Sequence, residues 1–427
     1  MIWIFLGVLF FFLFLGVPVA FSLLLSAIAM TLVIGIFDPQ IIAQNLVYGA
    51  NNFPLMAIPF FILAGEIMNA GGISRRVVHF ASTLIGHIKG GLGYVAILAG
   101  VMFAGLSGSA VADAAALGAI IIPMMAAQGY DIKKASGLVG SSGIIATVIP
   151  PSIPLILFGV IGGVSVTQLF MAGIVPGILM GTGLMVAWYI VSRKGNFAVT
   201  EKASGKERLK AFYQAIWALL LPVIIIVGLR GGIFTPTEAA VVVSVYAFIL
   251  SFTVYKGELT LRQMPSILVN AAKTTGVVMF LAACALVTSW VITVAQIPDE
   301  LVSIISGITE NPTLLLLIIV FFLLLVGLVM DMTPAILIFT PVLLPVIETA
   351  GIDPIFFGII MVIVLSIGLI TPPVGTVLFV ISGISKISLI NVTKGIWPFL
   401  LVYIIIVILL ILFPAVVTTP MEWITGT

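Results

Sequence analysis

Two proline pairs lie in apolar stretches where a helix would otherwise run without interruption. Pro150 and Pro151 stand in "ATVIPPSIPLILF", and Pro372 and Pro373 stand in "GLITPPVGTVLF". Proline removes a backbone donor and leaves the carbonyl one turn earlier without its helical partner. Unwound carbonyls coordinate Na⁺ in membrane transporters, whereas a single proline is commonly only a kink. Because the pairs recur beside small polar residues, they favour two ion sites over two kinks.

Two aspartates in apolar surroundings are the other candidates for chemistry. Asp113 lies in "SGSAVADAAA" and Asp331 in "GLVMDMTPA". A charge at membrane depth is costly and marks a functional site by default. The alternative is a structural role, capping or bracing a helix end beside an ion site. Glu66 and Glu238 are weaker candidates and are expected to brace neighbouring helices.

Other kinds of chemistry have little support in the sequence. His79 and His87 lie in one charged connector, and the single Cys284 lies in an apolar run. These positions predict no metal centre, no disulfide framework and no nucleophile with a base. The chain has no phosphate-binding Walker sequence and no basic stripe for nucleic acid. We therefore expect neither an enzyme nor a nucleic-acid-binding protein.

The composition places these residues in a lipid bilayer. The chain has 427 residues, of which 62% are hydrophobic and only 7% charged. Its mean hydropathy is +1.37. The runs Met1–Phe37, Ile216–Leu229 and Trp397–Val417 have the length and apolar character of membrane spans. The fold class is therefore an all-α polytopic membrane protein.

The chain contains an internal repeat. A shift of 222 positions brings glycines, prolines and an aspartate into register over about fifty residues. The matching pairs are Gly105 with Gly327, Pro123 with Pro345, Gly129 with Gly351, Asp131 with Asp353, and both prolines of each pair. Hydrophobicity alone does not align such residues, so we infer two homologous halves.

The basic residues predict the topology. In the first half they cluster in three connectors, consisting of Arg75, Arg76 and Lys89; of Lys133 and Lys134; and of Arg193, Lys194, Lys202, Lys206, Arg208 and Lys210. The positive-inside rule places all three in the cytoplasm. This requires Gly91–Gln128 to enter and leave on one face, as a re-entrant hairpin with "GLSGSA" at its tip. A simple crossing would put the lysine pair on the opposite face.

The second half then has the opposite orientation. Spans near 212–230, 236–255 and 271–293 place Lys256, Arg262 and Lys273 inside and Asp299, Glu300 and Glu310 outside. The matching hairpin, about 313–350, enters from the other face, which gives an inverted-topology repeat with two broken spans. The predicted parts are scaffold and arm helices at 1–90 and 211–300, transport-domain segments at 91–192 and 301–427, and a cytoplasmic loop at 193–210.

Several stretches together resemble the large membrane subunit of tripartite ATP-independent periplasmic (TRAP) transporters. They are "IPFFILAGEIMNAGGIS", "GLSGSAVADAAALG", "VIPPSIP", "GIFTPTEAA", "TPVLLPV" and "GLITPPVGTVLFV". The resemblance covers essentially the whole chain. It implies a multi-pass permease of the bacterial inner membrane, with a separate small four-helix membrane subunit and a periplasmic substrate-binding protein as partners.

The resemblance also implies an elevator-type carrier driven by two or more Na⁺ ions. Its pattern assigns the first ion to Ala104, Ser107, Ala146, Ile149 and Pro151, and the second to Gly327, Gly368, Thr371 and Val374. Ser109, Asp113 and Asp331 would support these ion sites by holding the residues that bind the ions. Substrate between the tips would contact Pro150, Ser152, Pro372 and Thr376.

The family carries small organic acids, including C4-dicarboxylates, keto-sugar acids and sialic acids, and the sequence does not choose among them. The main alternative is a stand-alone Na⁺/carboxylate symporter of the same architecture that needs no binding protein. A purely structural membrane protein or a membrane-embedded enzyme would not explain two inverted ion-site motifs.

The hairpin at Gly91–Gln128 makes a direct prediction about topology. Cysteines introduced as Lys89→Cys and Lys133→Cys should both react with an impermeant thiol reagent from the cytoplasmic face, because a re-entrant segment returns to its starting side. Labelling from opposite faces would show that the segment is a simple crossing.

Overall fold

The regular elements of the structure, a computed structural model, are helices. It describes residues 1–193, 201–306, 309 and 311–426. The helices are α1 (Ile2–Phe14), α2 (Val19–Ile34), α3 (Pro39–Ala50), α4 (Ala57–Ala70), α5 (Ile73–Ile85), α6 (Gly91–Ser107), α7 (Ala110–Ala127), α8 (Ile132–Gly143), α9 (Ile153–Gly162), α10 (Val166–Ser192), α11 (Gly205–Arg230), α12 (Pro236–Thr253), α13 (Met264–Val294), α14 (Ile297–Ser306), α15 (Pro312–Val329), α16 (Met332–Thr349), α17 (Pro354–Gly368), α18 (Thr376–Ser385), α19 (Leu389–Leu412) and α20 (Ala415–Thr425). Short 3₁₀ turns occupy Pro54–Met56, Ile144–Thr147 and Leu261–Gln263.

Eight helices in the described ranges are long and apolar enough to cross a membrane, or nine if α3 and α4 form one bent span. They are α7, α10, α11, α12, α13 with the 3₁₀ turn before it, α15, α16 and α19. This finding agrees with the expected polytopic membrane protein. The orientation of each helix across the bilayer remains a prediction from the charges.

Three local expectations need correction. The run Met1–Phe37 forms two helices, since the chain turns at Gly16 with φ +80 between α1 and α2. His79 lies in helix α5, where a connector was expected, because apolar and polar residues alternate there with helical spacing. Helix α11 begins inside the expected 193–210 loop, where Ser204 and Glu207 form a capping box. Lys194 and Glu310 lie outside the described residues.

The helix boundaries repeat with the spacing of the sequence. Helices α7 and α16 begin at residues 110 and 332 and end at residues 127 and 349. Helices α6 and α15 end at residues 107 and 329, and α8 and α17 begin at residues 132 and 354. The same offset of 222 positions therefore separates corresponding helix ends in the two halves.

The two halves pack closely against each other through α8 and α19. A Cβ atom on Gly137 would overlap the carbonyl group of Gly395, and one on Gly395 would overlap the carbonyl oxygen of Lys133. Four residues after Gly137, the Ser141 carbonyl accepts a hydrogen bond of 2.6 Å from the Tyr403 hydroxyl. Close backbone approach through small residues is how helices associate in membranes.

This contact predicts an effect of one methyl group on stability. Gly395→Ala should lower the midpoint of thermal unfolding in detergent, because overpacking of this kind typically costs about 1–3 kcal/mol. The control is Gly383→Ala, since nothing lies within 4 Å of a Cβ at that helical glycine. Equal midpoints for the two variants would show that α8 and α19 do not pack closely enough for one methyl group to matter.

Candidate functional site

The first helical tip lies between α6 and α7. Helix α6 ends at Ser107, and Gly108 follows with φ +64, a conformation that favours glycine. Ser109 then caps α7, since its hydroxyl accepts a hydrogen bond of 3.4 Å from the Ala112 amide. Two serine hydroxyls therefore lie at this turn, as "GLSGSA" suggests.

Asp113 is buried behind this tip, with only 2% of its surface exposed. The Ser107 hydroxyl donates a hydrogen bond to its Oδ1 atom. Its Oδ2 atom is buried and has no hydrogen-bond partner among the described residues. The carboxylate thus braces the tip, as the structural alternative proposed, and also keeps one oxygen available. A buried oxygen without a partner is uncommon in native structures, so this oxygen marks Asp113 as a candidate for function.

The first break lies directly against this tip. Helix α8 ends at Gly143, a 3₁₀ turn follows, and α9 begins at Ile153. A Cβ atom on Gly108 would overlap the Pro151 carbonyl oxygen, so the tip and the break are in backbone contact. The five residues expected around the first ion lie on these two segments, and all are buried; they are Ala104, Ser107, Ala146, Ile149 and Pro151.

The second tip and break repeat the arrangement. Asp331 caps α16, and its Oδ1 atom accepts a hydrogen bond of 3.2 Å from the Thr333 amide. A Cβ atom on Gly368 would lie 2.7 Å from the Cα atom of Gly327. The Val374 amide donates to the Leu328 carbonyl at 3.3 Å, which holds the break against the end of α15. Both Pro150–Pro151 and Pro372–Pro373 are cis.

Two of the carbonyls expected around the second ion, those of Gly368 and Thr371, already accept hydrogen bonds. The Thr371 amide donates to the Gly368 carbonyl at 3.1 Å, and the Gly375 amide donates to the Thr371 carbonyl at 3.2 Å. The Thr371 hydroxyl donates to the Ile367 carbonyl at 2.6 Å. Each oxygen keeps a second lone pair, so these bonds leave room for an ion. The structure brings Gly327, Gly368, Thr371 and Val374 into one region.

A cavity of about 230 Å³ lies between the two tips and the helices α4 and α13. Its polar wall consists of Ser107 and Ser109 from the first tip, Asp331 and Thr333 from the second, Thr147 from the first break, Glu66 and Asn69 from α4, and Thr274 from α13. This is the position expected for a substrate between the tips. Hydroxyl, amide and carboxylate groups around a small space suit a polar ligand.

The four residues expected to contact substrate do not line this cavity. Ser152 is fully buried. Its hydroxyl donates to the Thr147 carbonyl and accepts from the Leu155 amide at 3.2 Å, so both hydrogen bonds stay within the break and the start of α9. Pro150 is also buried, Pro372 is exposed outside the cavity wall, and the Thr376 hydroxyl is buried without a partner among the described residues. The cavity instead takes Thr147, Ile153 and Pro154 from the first break.

The two weaker acidic candidates have different positions. Glu66 lines the cavity with Asn69, one helical turn later on α4, and the described ion pairs do not include it. Their spacing of three residues was a signal for a shared polar face. Glu238 contacts its own helix end, because it forms a capping box with Thr235 at the start of α12. The expectation that these residues brace neighbouring helices is therefore wrong for Glu238.

Several known proteins similar to this chain are named as transporter permeases. The model of the tripartite ATP-independent periplasmic transporter, DctM component, matches residues 6–416. One relative is a Haemophilus influenzae protein named as a TRAP transporter large permease. It is 58% identical over 94% of this chain and 100% of its own length. The 2,3-diketo-L-gulonate TRAP transporter large permease protein YiaN of Escherichia coli is 48% identical over 99% of each chain. The sialic acid TRAP transporter large permease protein SiaM of Vibrio cholerae is 40% identical over 94% of each.

One solved structure has a similar fold. The YdaH transporter of Alcanivorax borkumensis matches with a TM-score of 0.61 at 14% identity, covering 87% of this chain and 86% of its own. At this identity the match bears on the fold alone. The family match across nearly the whole sequence decides the classification, and the family is one of transporter permeases, with no enzyme among its descriptions. The chain therefore belongs to the DctM component, or large permease, family of tripartite ATP-independent periplasmic transporters.

Proposed function

We propose that the chain carries a small organic acid into the cell across the bacterial inner membrane, driven by Na⁺ ions that move with it. The observation that carries this proposal is the paired contact of a helical tip with a helix break. The first contact joins Gly108 to Pro151, and the second joins Gly327 to Gly368. Each contact concentrates backbone oxygens in an apolar region, which is an environment for a cation.

The first ion would lie beside Asp113. A free oxygen of a buried carboxylate attracts a cation strongly, because the surrounding protein screens charge less than water does. Ser107 supplies a hydroxyl and orients the carboxylate through its hydrogen bond. The second ion would use the carbonyls of Gly327, Gly368 and Val374 together with Thr371. Ser109 and Asp331 cap the helices that follow the tips and so hold both tips in place.

The substrate would occupy the cavity between the tips. The beginnings of α7 and α16 meet this space, and the positive ends of helix dipoles stabilise a carboxylate. Names of relatives include a keto-sugar acid and sialic acid as cargo, which supports small organic acids as the substrate class. C4-dicarboxylates complete the class expected for the family.

The cavity position also supports an elevator mechanism. One wall consists of tip and break residues, and the opposite wall consists of α4 and α13. If the tips, breaks and their helices move together, α4 and α13 form the fixed wall past which substrate slides. The chain would receive its cargo from a periplasmic binding protein and would act with a small four-helix membrane subunit.

Coupling to Na⁺ makes a prediction for transport. Proteoliposomes that contain the chain with both partner proteins should accumulate labelled acid under an inward Na⁺ gradient, and the rate should rise more than linearly with Na⁺ concentration, because two ions bind. A K⁺ gradient of equal size is the control. Equal uptake with K⁺ would contradict Na⁺ coupling, and equal uptake without the binding protein would favour the stand-alone symporter.

The buried carboxylate makes a second prediction. Asp113→Asn should raise the Na⁺ concentration needed for half-maximal thermal stabilisation by about tenfold, equivalent to roughly 1.4 kcal/mol. Stabilisation by a ligand depends on its concentration relative to Kd, so a weaker site shifts the curve. Asp131→Asn is the matched control, because Asp131 is an exposed cap of α8 away from the tips. Identical Na⁺ curves for the two variants would show that Asp113 does not serve an ion.

A further inference from the structure

A second and larger cavity adjoins the cavity between the tips. Its volume is about 710 Å³, and it lies between the beginning of α2, the middle of α13 and the start of α16. Val278, Asp331 and Thr333 line both cavities, so the two spaces meet beside the second tip. A molecule that leaves the tips on this side would pass through the larger cavity.

The two cavities differ in the charges on their walls. Among the described residues, the cavity between the tips (the tip cavity) is lined by the carboxylates Glu66 and Asp331 and by no lysine or arginine. The larger cavity adds Lys273 from α13. The described ion pairs do not include Lys273, and Asp331 directs its Oδ1 atom to the Thr333 amide. The larger cavity therefore offers a cation that the described acidic groups do not neutralise by contact.

We propose that Lys273 is a substrate-contacting residue of the release path, where its ammonium group binds the carboxylate of the departing organic acid. The inference rests on the proposed function and names the residue that acts after the tips. Once Na⁺ leaves, the carboxylates of the tip cavity repel an anion, while Lys273 attracts it into the adjoining space. The beginning of α2 at Pro18 and Val19 lines the same space and adds the positive end of a helix dipole.

The topology predicted from the charges puts this path on the cytoplasmic side, since Lys273 follows Lys256 and Arg262, which precede α13. The alternative is a lysine that extends along lipid to the membrane surface and contacts no cargo. The two readings differ in whether the cavity holds water. They also differ in whether Lys273 changes the electrostatic potential there.

A thiol-labelling experiment separates these readings without knowledge of the substrate. The variant Val277→Cys, with the single Cys284 replaced by alanine, places a thiol on the wall of the larger cavity, where Val277 is 69% exposed. The probes are the anionic 2-sulfonatoethyl and the cationic trimethylammonioethyl methanethiosulfonates, added from the cytoplasmic face. Adding Lys273→Met should lower the ratio of anionic to cationic labelling rates by roughly tenfold, because one unit charge is lost nearby.

Two further variants complete this test. Lys273→Arg should keep the ratio of the parent, since the charge remains. Lys394→Met is the matched control, because Lys394 is exposed on the long apolar helix α19 and lines neither cavity. An unchanged ratio in Lys273→Met would overturn the inference, because the lysine then does not affect the potential in the cavity. No reaction with either aqueous probe would also overturn it, because lipid then fills the cavity.

Transport measurements connect the charge to the cargo. Proteoliposomes with both partner proteins are supplied with labelled sialic acid, 2,3-diketo-L-gulonate or succinate. Lys273→Met should lower maximal uptake at least about fivefold, in line with the loss of a hydrogen bond to a charged group. The half-saturating concentration of loaded binding protein and the Na⁺-dependent stabilisation should not change, because loading and ion binding occur elsewhere.

The failures of the two proposals are distinguishable. If the parent carries none of the acids while the labelling ratio falls as expected, the proposed substrate class fails and the anion-attracting path stands. If the parent carries one of them and Lys273→Met matches Lys394→Met in uptake, the role of Lys273 is wrong and the proposed function stands.

Discussion

A broken helix in an apolar environment must satisfy its backbone polar groups without water, and this constraint organises the two ends of the site. Each unpaired group in hydrocarbon costs several kcal/mol. In the first break the Ser152 hydroxyl donates to the Thr147 carbonyl and caps α9. In the second break the Thr371 hydroxyl donates to the Ile367 carbonyl. Local hydroxyls thus meet part of the requirement, and the end of α15 meets another part, where the Leu328 carbonyl accepts from the Val374 amide.

The tips can cover the breaks only because small residues permit backbone contact. Gly108 lies against Pro151, and Gly327 lies against Gly368, at distances that leave no room for a side chain. Each break therefore needs a small residue in its tip, which agrees with the shared spacing of glycines and prolines in the two halves. The same principle applies at Gly137 and Gly395, where α8 of one half meets α19 of the other. The two halves cannot separate without exposing these surfaces.

The sequence predicts features whose cause is local. Paired prolines and flanking glycines located both breaks and both tips, because these residues act on the backbone at their own positions. The turn at Gly16 was missed, since one glycine in an apolar run does not distinguish a turn from a continuous span. The wall formed by Glu66 and Asn69 was missed because it depends on α4 packing beside tips that are distant in sequence. Similarly, Ser152 was expected to face substrate, but its hydroxyl is occupied by a carbonyl within the break.

The two halves share a framework but place their polar groups differently. The register pairs Ser109 with Asp331, and both cap the helix after a tip. It pairs Ser107 with Val329, Asp113 with Ala335 and Ile149 with Thr371, so the hydroxyl comes from the tip in the first half and from the break in the second.

Among the described residues, only the first half has a buried carboxylate inside the helix that follows the tip. Under the proposed coupling, the first ion would meet a full negative charge with an available oxygen. The second ion would meet mainly carbonyl dipoles, and those of Gly368 and Thr371 already accept hydrogen bonds. A full charge attracts a cation more strongly than dipoles at the same distance, so the first site would fill at lower Na⁺ concentration. Under the same proposal, repetition would supply two sites, and unequal substitution within the repeat would give them an order of filling.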